Sequence, residues 1–154
     1  MTNLKPVIEG HNRFCGPAVL SIITGKSTDE CADVIRSING EYKIRGVYLT
    51  DLLKAASKLN FNTLRINTEG SSLFRALTEL SLVDGIYIVT VPNHFVCIEV
   101  KDKQIYFCDN HTKEPIKDAS SARLMQKVVA AYRVSKRTEV KLTERQNDNL
   151  HYGI

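Results

Sequence analysis

The sequence predicts an α+β fold, with N-terminal helices packed on one side of a mostly antiparallel sheet. Three observations predict it. Apolar residues recur at helical spacing between residues 15 and 59, and each run is bounded by start and stop signals. From Asp84 the chain turns β-branched and aromatic. Between two of those stretches, Asp102-Lys103 reads as a tight hairpin turn. The chain has 154 residues, 43% hydrophobic and 25% charged, which suits one soluble domain with a core of its own. That domain is expected over residues 1–135, with a polar tail over 136–154.

The elements follow in order. Ala18-Val19-Leu20-Ser21-Ile22-Ile23 is apolar and stops at Thr24-Gly25, and Pro17 fits only in a first helical turn. Cys15 therefore stands at or just before a helix N-terminus. Ser27 or Thr28 caps a second helix with acids in its first turn, which runs through Cys31, Val34, Ile35 and Ile38 to Asn39-Gly40. Gly46 and Thr50 precede a third, carrying Leu52, Leu53, Ala56 and Leu59 and ended by Asn60. Residues 61–67 read as a strand, and Ser71 or Ser72 caps a short helix with Leu73, Phe74, Leu77 and Leu80. Strands are predicted over 86–91, 94–100 and 104–109, a helix over 119–131, and an added strand over 132–135.

Composition excludes several classes of function. A net charge of +4 with scattered Lys and Arg leaves no basic block for nucleic acid. Residues 1–13 lack the apolar stretch of a signal peptide, and no apolar run approaches a membrane span. Four cysteines without CxxC spacing read as free thiols of a reducing cytosol, so a cytoplasmic protein is expected. Zinc favours paired ligands at short spacing, which this chain lacks; neither metal nor cofactor is expected.

One constellation carries chemistry. A thiol at a helix N-terminus meets unpaired N–H groups and the positive end of the dipole, which favour the thiolate. Seventy-nine residues later His94 opens a strand, and Asp109 closes the next. A two-residue turn at Asp102-Lys103 sets Val96 opposite Asp109 and His94 opposite His111. His94 and Asp109 then share a sheet face as diagonal neighbours, roughly 6–8 Å apart between backbones. A three-residue loop would shift the register and bring in Asn110 instead, the alternative orienter. An imidazole can hold a thiolate as an ion pair, and a third group fixes its tautomer and orientation. The Cys15 N–H and one side-chain donor would meet an oxyanion; Asn12 is the candidate, with His11 second. Cys31 reads as core, Cys97 and Cys108 as packed thiols facing each other on the opposite side of the hairpin, and His151 carries no assignment.

Arg13-Phe14-Cys15-Gly16-Pro17-Ala18-Val19-Leu20, Gly25, His94-Phe95-Val96 and Asp109 together resemble the papain-like cysteine peptidase superfamily. The likeness is greatest to its compact branch, the bacteriocin-processing (double-glycine) peptidase domains of ABC exporters and related bacterial and phage proteins. It covers roughly residues 7–116. The resemblance implies a papain-like fold and a cysteine hydrolase that cleaves a peptide or isopeptide amide through a Cys15–His94–Asp109 triad and a thioester. It implies a peptide or protein substrate. A weakly catalytic module that binds a partner protein, or an acyltransferase of transglutaminase type, are the alternatives. The family usually places an oxyanion-hole glutamine six residues before the cysteine; here Glu9 stands there, and a carboxylate cannot donate.

Overall fold

The computed structural model describes residues 2–68, 71–72, 75, 83–117 and 125–137. Among these, three helices come first: α1 Cys15–Thr24, α2 Thr28–Asn39 and α3 Leu49–Lys58. Six strands follow: β1 Phe61–Ile66, β2 Gly85–Val91, β3 His94–Lys101, β4 Gln104–Cys108, β5 Ile116–Lys117 and β6 Ala130–Lys136. They form one sheet in the order β1-β6-β2-β3-β4-β5, with every neighbouring pair antiparallel.

The helix boundaries arise from local chemistry. Ser27 and Glu30 form the reciprocal capping box of α2, and Gly25 and Gly40 take left-handed conformations after α1 and α2. Asn60 turns left-handed just beyond α3. α3 starts earlier than Thr50 suggests, because Tyr48 stands at the N-cap without a side-chain cap bond. In the β3–β4 hairpin Asp102 and Lys103 both have positive φ, 49° and 64°, as a tight two-residue turn of matching twist requires. The ladder runs from Lys101 opposite Gln104 to Cys97 opposite Cys108, the expected register.

That register divides the sheet into two faces. Ile88, Phe95, Cys97 and Cys108 pack with Val19, Leu20 and Ile22 of α1 and with Ile35 and Leu52 of the other helices. Tyr87, Val89, Val96, Ile98 and Phe107 form a second buried cluster with Val128. α1 is buried along its length except at its ends. It lies so close to β3 that the Cys97 thiol donates to the Val19 carbonyl at 3.7 Å.

One expectation is corrected. Residues 125–131 are not helical: the Val128 N–H donates to Ser71, the Val129 N–H to Thr90, and strand β6 begins at Ala130. The strand expected over 132–135 is present within β6, which sits between β1 and β2. The apolar run from Val128 to Ala131 lacks a period, and its pairing with β1 and β2 is settled by long-range hydrogen bonds rather than by spacing. The short strand β5 was not foreseen. Most of the short helix expected after Ser71 or Ser72, residues 119–124 of the other expected helix and nearly all of the tail lie outside the described residues. No helix among the described residues is long and apolar enough to cross a membrane.

Leu20, with no exposed surface, joins α1 to the sheet. Leu20→Ala is expected to lower unfolding free energy by about 2–5 kcal/mol in urea denaturation. A loss under about 1 kcal/mol would show that this helix is not seated on the core as described.

Candidate active site

Cys15 is the first residue of α1, and Phe14 before it is extended, with φ −82° and ψ 157°. The N–H groups of the first turn have no helical acceptor, and Pro17 has no N–H to leave unpaired. Gly16 is required for a separate reason: a Cβ there would lie 2.8 Å from Val47 Cγ2. The loop before α3 therefore packs directly beside the cysteine.

His94 is brought in by a turn at Pro92-Asn93. Asn93 adopts φ 58°, which asparagine tolerates, and Val91 pairs with His94 at the first rung of β3. Asp109 follows the last residue of β4 and is 3% exposed. His94 Nε2 lies 3.0 Å from Asp109 Oδ2, so the diagonal pair expected from the register closes to a hydrogen bond. The other carboxylate oxygen accepts the His111 and Thr112 N–H groups, each at 2.9 Å. The ring of His111 stacks on that of His94, with centroids 5.5 Å apart. A cavity of about 380 Å³ opens beside them, lined by Asn93, His94, Asp109 and His111.

The electrostatics separate Cys15 from the other three cysteines. Burial raises all four thiols. It takes Cys31 and Cys108 up to about 11 and Cys97 well above its ordinary value. At Cys15 burial is outweighed by hydrogen bonding to His94, by the Phe95 N–H and by the His94 charge, which leave this thiol lower than usual. His94 is raised to about 9, first by its bond to Asp109 and then by Cys15. Burial opposes ionisation of Asp109, but hydrogen bonds from His94, Thr112 and His111 hold its carboxyl far below the usual range. Both shifts favour the ion pair of thiolate and imidazolium, with the carboxylate behind it.

The remaining sequence candidates are placed differently. Asn110 turns its amide away from the imidazole: Nδ2 donates to the Arg13 carbonyl at 3.2 Å, tying the Asp109 turn to the approach of Cys15. The imidazole is thus bonded to Asp109, because the two-residue turn fixes the register. Asn12 also has bonds of its own. Its Oδ1 accepts the Phe14 N–H at 3.0 Å and its Nδ2 donates to the Ile44 carbonyl at 2.8 Å. The amide of Asn12 therefore braces the loop, with one of its two Nδ2 N–H groups engaged at Ile44. Glu9 is bound by two cations, Lys113 Nζ at 2.9 Å and Arg13 Nε at 3.1 Å, which help hold it ionised. Sequence reading gave no signal for Lys113, whose approach depends on the turn after Asp109. Beyond Asn12 and Phe14 a groove of about 800 Å³ is walled by Tyr42, Lys43, Ile44 and Arg45. Among the described residues no group of three or more His, Cys, Asp or Glu side chains is arranged to hold a metal ion.

Three comparisons bear on this arrangement. The peptidase domain of Streptococcus ComA, described as a bi-functional ABC transporter involved in a quorum-sensing pathway, superposes with TM-score 0.62 at 18% identity. The alignment covers 88% of this chain and all of that one. A double-glycine-motif protease from an AMS/PCAT transporter, solved with its leader peptide, gives TM-score 0.56 at 20% identity, covering 86% of this chain and 91% of that one. These likenesses establish the papain-like fold. No curated protein sequence matches the chain. The model of the peptidase C39 family matches residues 3–126, most of the chain. The protein accordingly belongs to the peptidase C39 family, and it is a cysteine peptidase.

Proposed function

We propose that Cys15 is the nucleophile, His94 the general acid–base and Asp109 its orienter, in a peptidase that cleaves a peptide or isopeptide amide of a protein substrate. One observation carries the reading: Cys15 opens α1 beside His94, whose Nε2 lies 3.0 Å from the buried Asp109 carboxylate, and the influence of His94 lowers this thiol while burial raises the other three. The Cys15 thiolate attacks the scissile carbonyl carbon and forms a C–S bond. The C–N bond then breaks as His94 passes its proton to the leaving amine. Water, deprotonated by His94, attacks the thioester and releases the acid and the thiolate. Asp109 accepts from Nε2 throughout, which leaves Nδ1 for the sulfur and the leaving group.

The oxyanion would sit at the first turn of α1, met by the Cys15 N–H. Glu9 adds no donor there, although Arg13 and Lys113 neutralise its charge. This feature alone favours the second reading, a weakly catalytic module that binds a partner protein. A leader peptide is bound by the PCAT relative, and the groove beside Phe14 would suit an extended peptide here. A cytoplasmic setting is supported by the four free thiols, two of them directly opposed in the sheet.

The pH dependence has a definite direction. His94 is raised from about 6.5 to about 9. The stability it contributes is fully present below about pH 6.5 and is lost as pH rises through about 9. Thermal unfolding of the wild type should therefore weaken between those values, and His94→Ala should flatten that slope. The same variant should slow iodoacetamide labelling of Cys15 at pH 7 by roughly tenfold or more. Unchanged labelling would remove the thiolate–imidazolium pair from the mechanism. Cys15→Ala should abolish cleavage of a peptide library. Glu9→Gln, which supplies a neutral amide donor, should raise kcat by roughly tenfold, less than the roughly 100- to 1,000-fold that one well-placed oxyanion donor commands. A fall in kcat would show that the ion pairs of Glu9 matter more than its lack of a donor.

A further inference from the structure

Asp29 lies in the first turn of α2, where an acid ordinarily complements its own helix. Its carboxylate instead takes hold of a different segment. Oδ2 accepts the His11 N–H and Oδ1 the Asn12 N–H, each at 2.9 Å. Next to it, Thr28 Oγ1 accepts the Gly10 N–H at 2.8 Å, and the Thr28 N–H is donated to the Ile8 carbonyl at 2.9 Å. Residues 8–12 are thus laid along the start of α2. Gly10 permits the approach, since a Cβ there would lie 2.3 Å from Asp29 Oδ2. The bonds from His11 and Asn12 hold the Asp29 carboxyl below its usual range, so the clamp is an anion at neutral pH.

The clamped segment ends at Asn12, which bonds in two directions. Its Oδ1 takes the Phe14 N–H, at the residue whose carbonyl accepts the Ala18 N–H and so opens α1. Its Nδ2 holds the Ile44 carbonyl, in the loop whose Val47 lies against Gly16. One amide therefore fixes both the turn that presents Cys15 and the loop across the groove.

We propose that Asp29 is a positioning residue for Cys15: by clamping the His11 and Asn12 backbone it sets the Asn12 amide, and through it the turn into α1. The proposal rests on reading Cys15 as the nucleophile. Asp29 takes no part in the bond changes, and it acts by holding the thiol where His94 can reach it.

The test uses the full chain with Asp29→Ala, Asp29→Asn and Asp33→Ala. Asp33 pairs with Arg36 on the same helix and serves as the control. The readouts are the rate of Cys15 alkylation by iodoacetamide from pH 5 to pH 10, and Tm. Asp29→Ala should slow alkylation at pH 7 by roughly tenfold and move the midpoint of the profile upward while the protein stays folded. Asp29→Asn, which keeps one acceptor, should fall between it and the wild type, and Asp33→Ala should match the wild type. If Asp29→Ala does not fold, Gly10→Ala, whose methyl displaces the carboxylate, should show the same slow, shifted profile. A folded Asp29→Ala or Gly10→Ala protein with the wild-type profile overturns the proposal. A wild-type Cys15 that reacts no faster than a free cysteine overturns the nucleophile reading itself, a separate and distinguishable result.

Discussion

The hydrogen bond from His94 Nε2 to Asp109 Oδ2 is the interaction on which the site depends. A carboxylate that is 3% exposed is costly unless its oxygens find donors. Asp109 finds three, and meeting that demand shapes the surroundings. The His111 and Thr112 N–H groups close a turn over its second oxygen, and the Lys113 N–H returns to the Asp109 carbonyl. From that turn Asn110 reaches the Arg13 carbonyl, and the Lys113 carbonyl accepts the Val7 N–H. One buried charge thereby binds the end of β4 to the segment that delivers Cys15.

The four cysteines show how environment, more than residue type, decides reactivity. Each is at least partly withdrawn from water, and withdrawal alone raises a thiol's pKa. Cys31, Cys97 and Cys108 follow that rule because their surroundings are largely apolar. Cys15 departs from it because an imidazole, itself held protonated by Asp109, stands beside it. Burial of the rest of α1 anchors the helix that presents this thiol.

Much of this was legible in the sequence where short-range chemistry decides. Pro17 places the start of α1, Ser27 and Glu30 start α2, and the Asp102-Lys103 turn fixes the register that puts His94 and Asp109 on one face. A turn two residues long leaves no freedom in the pairing, and a slip of one would have moved Asp109 to the other side. The misreadings come where the neighbours are distant. Residues 125–131 have a composition that either a helix or a strand accepts, and β6 becomes a strand because β1 and β2 flank it. The bond of the Asn12 amide to the Ile44 carbonyl was likewise illegible, because the two are 32 residues apart.

The sequence by itself determined the α+β class, the ends of α1 and α2, and the hairpin register that puts His94 and Asp109 on one face. These follow from interactions between residues close along the chain, where geometry is nearly fixed by residue type. Tertiary structure alone decided that His94 meets the Cys15 thiol, how Glu9 is neutralised, and that Asp29 should brace residues 17 and 18 positions before it. Those outcomes depend on hydrogen bonds and charges brought together by the packing of α1 and α2 and the closing of the sheet, and no local pattern encodes such meetings.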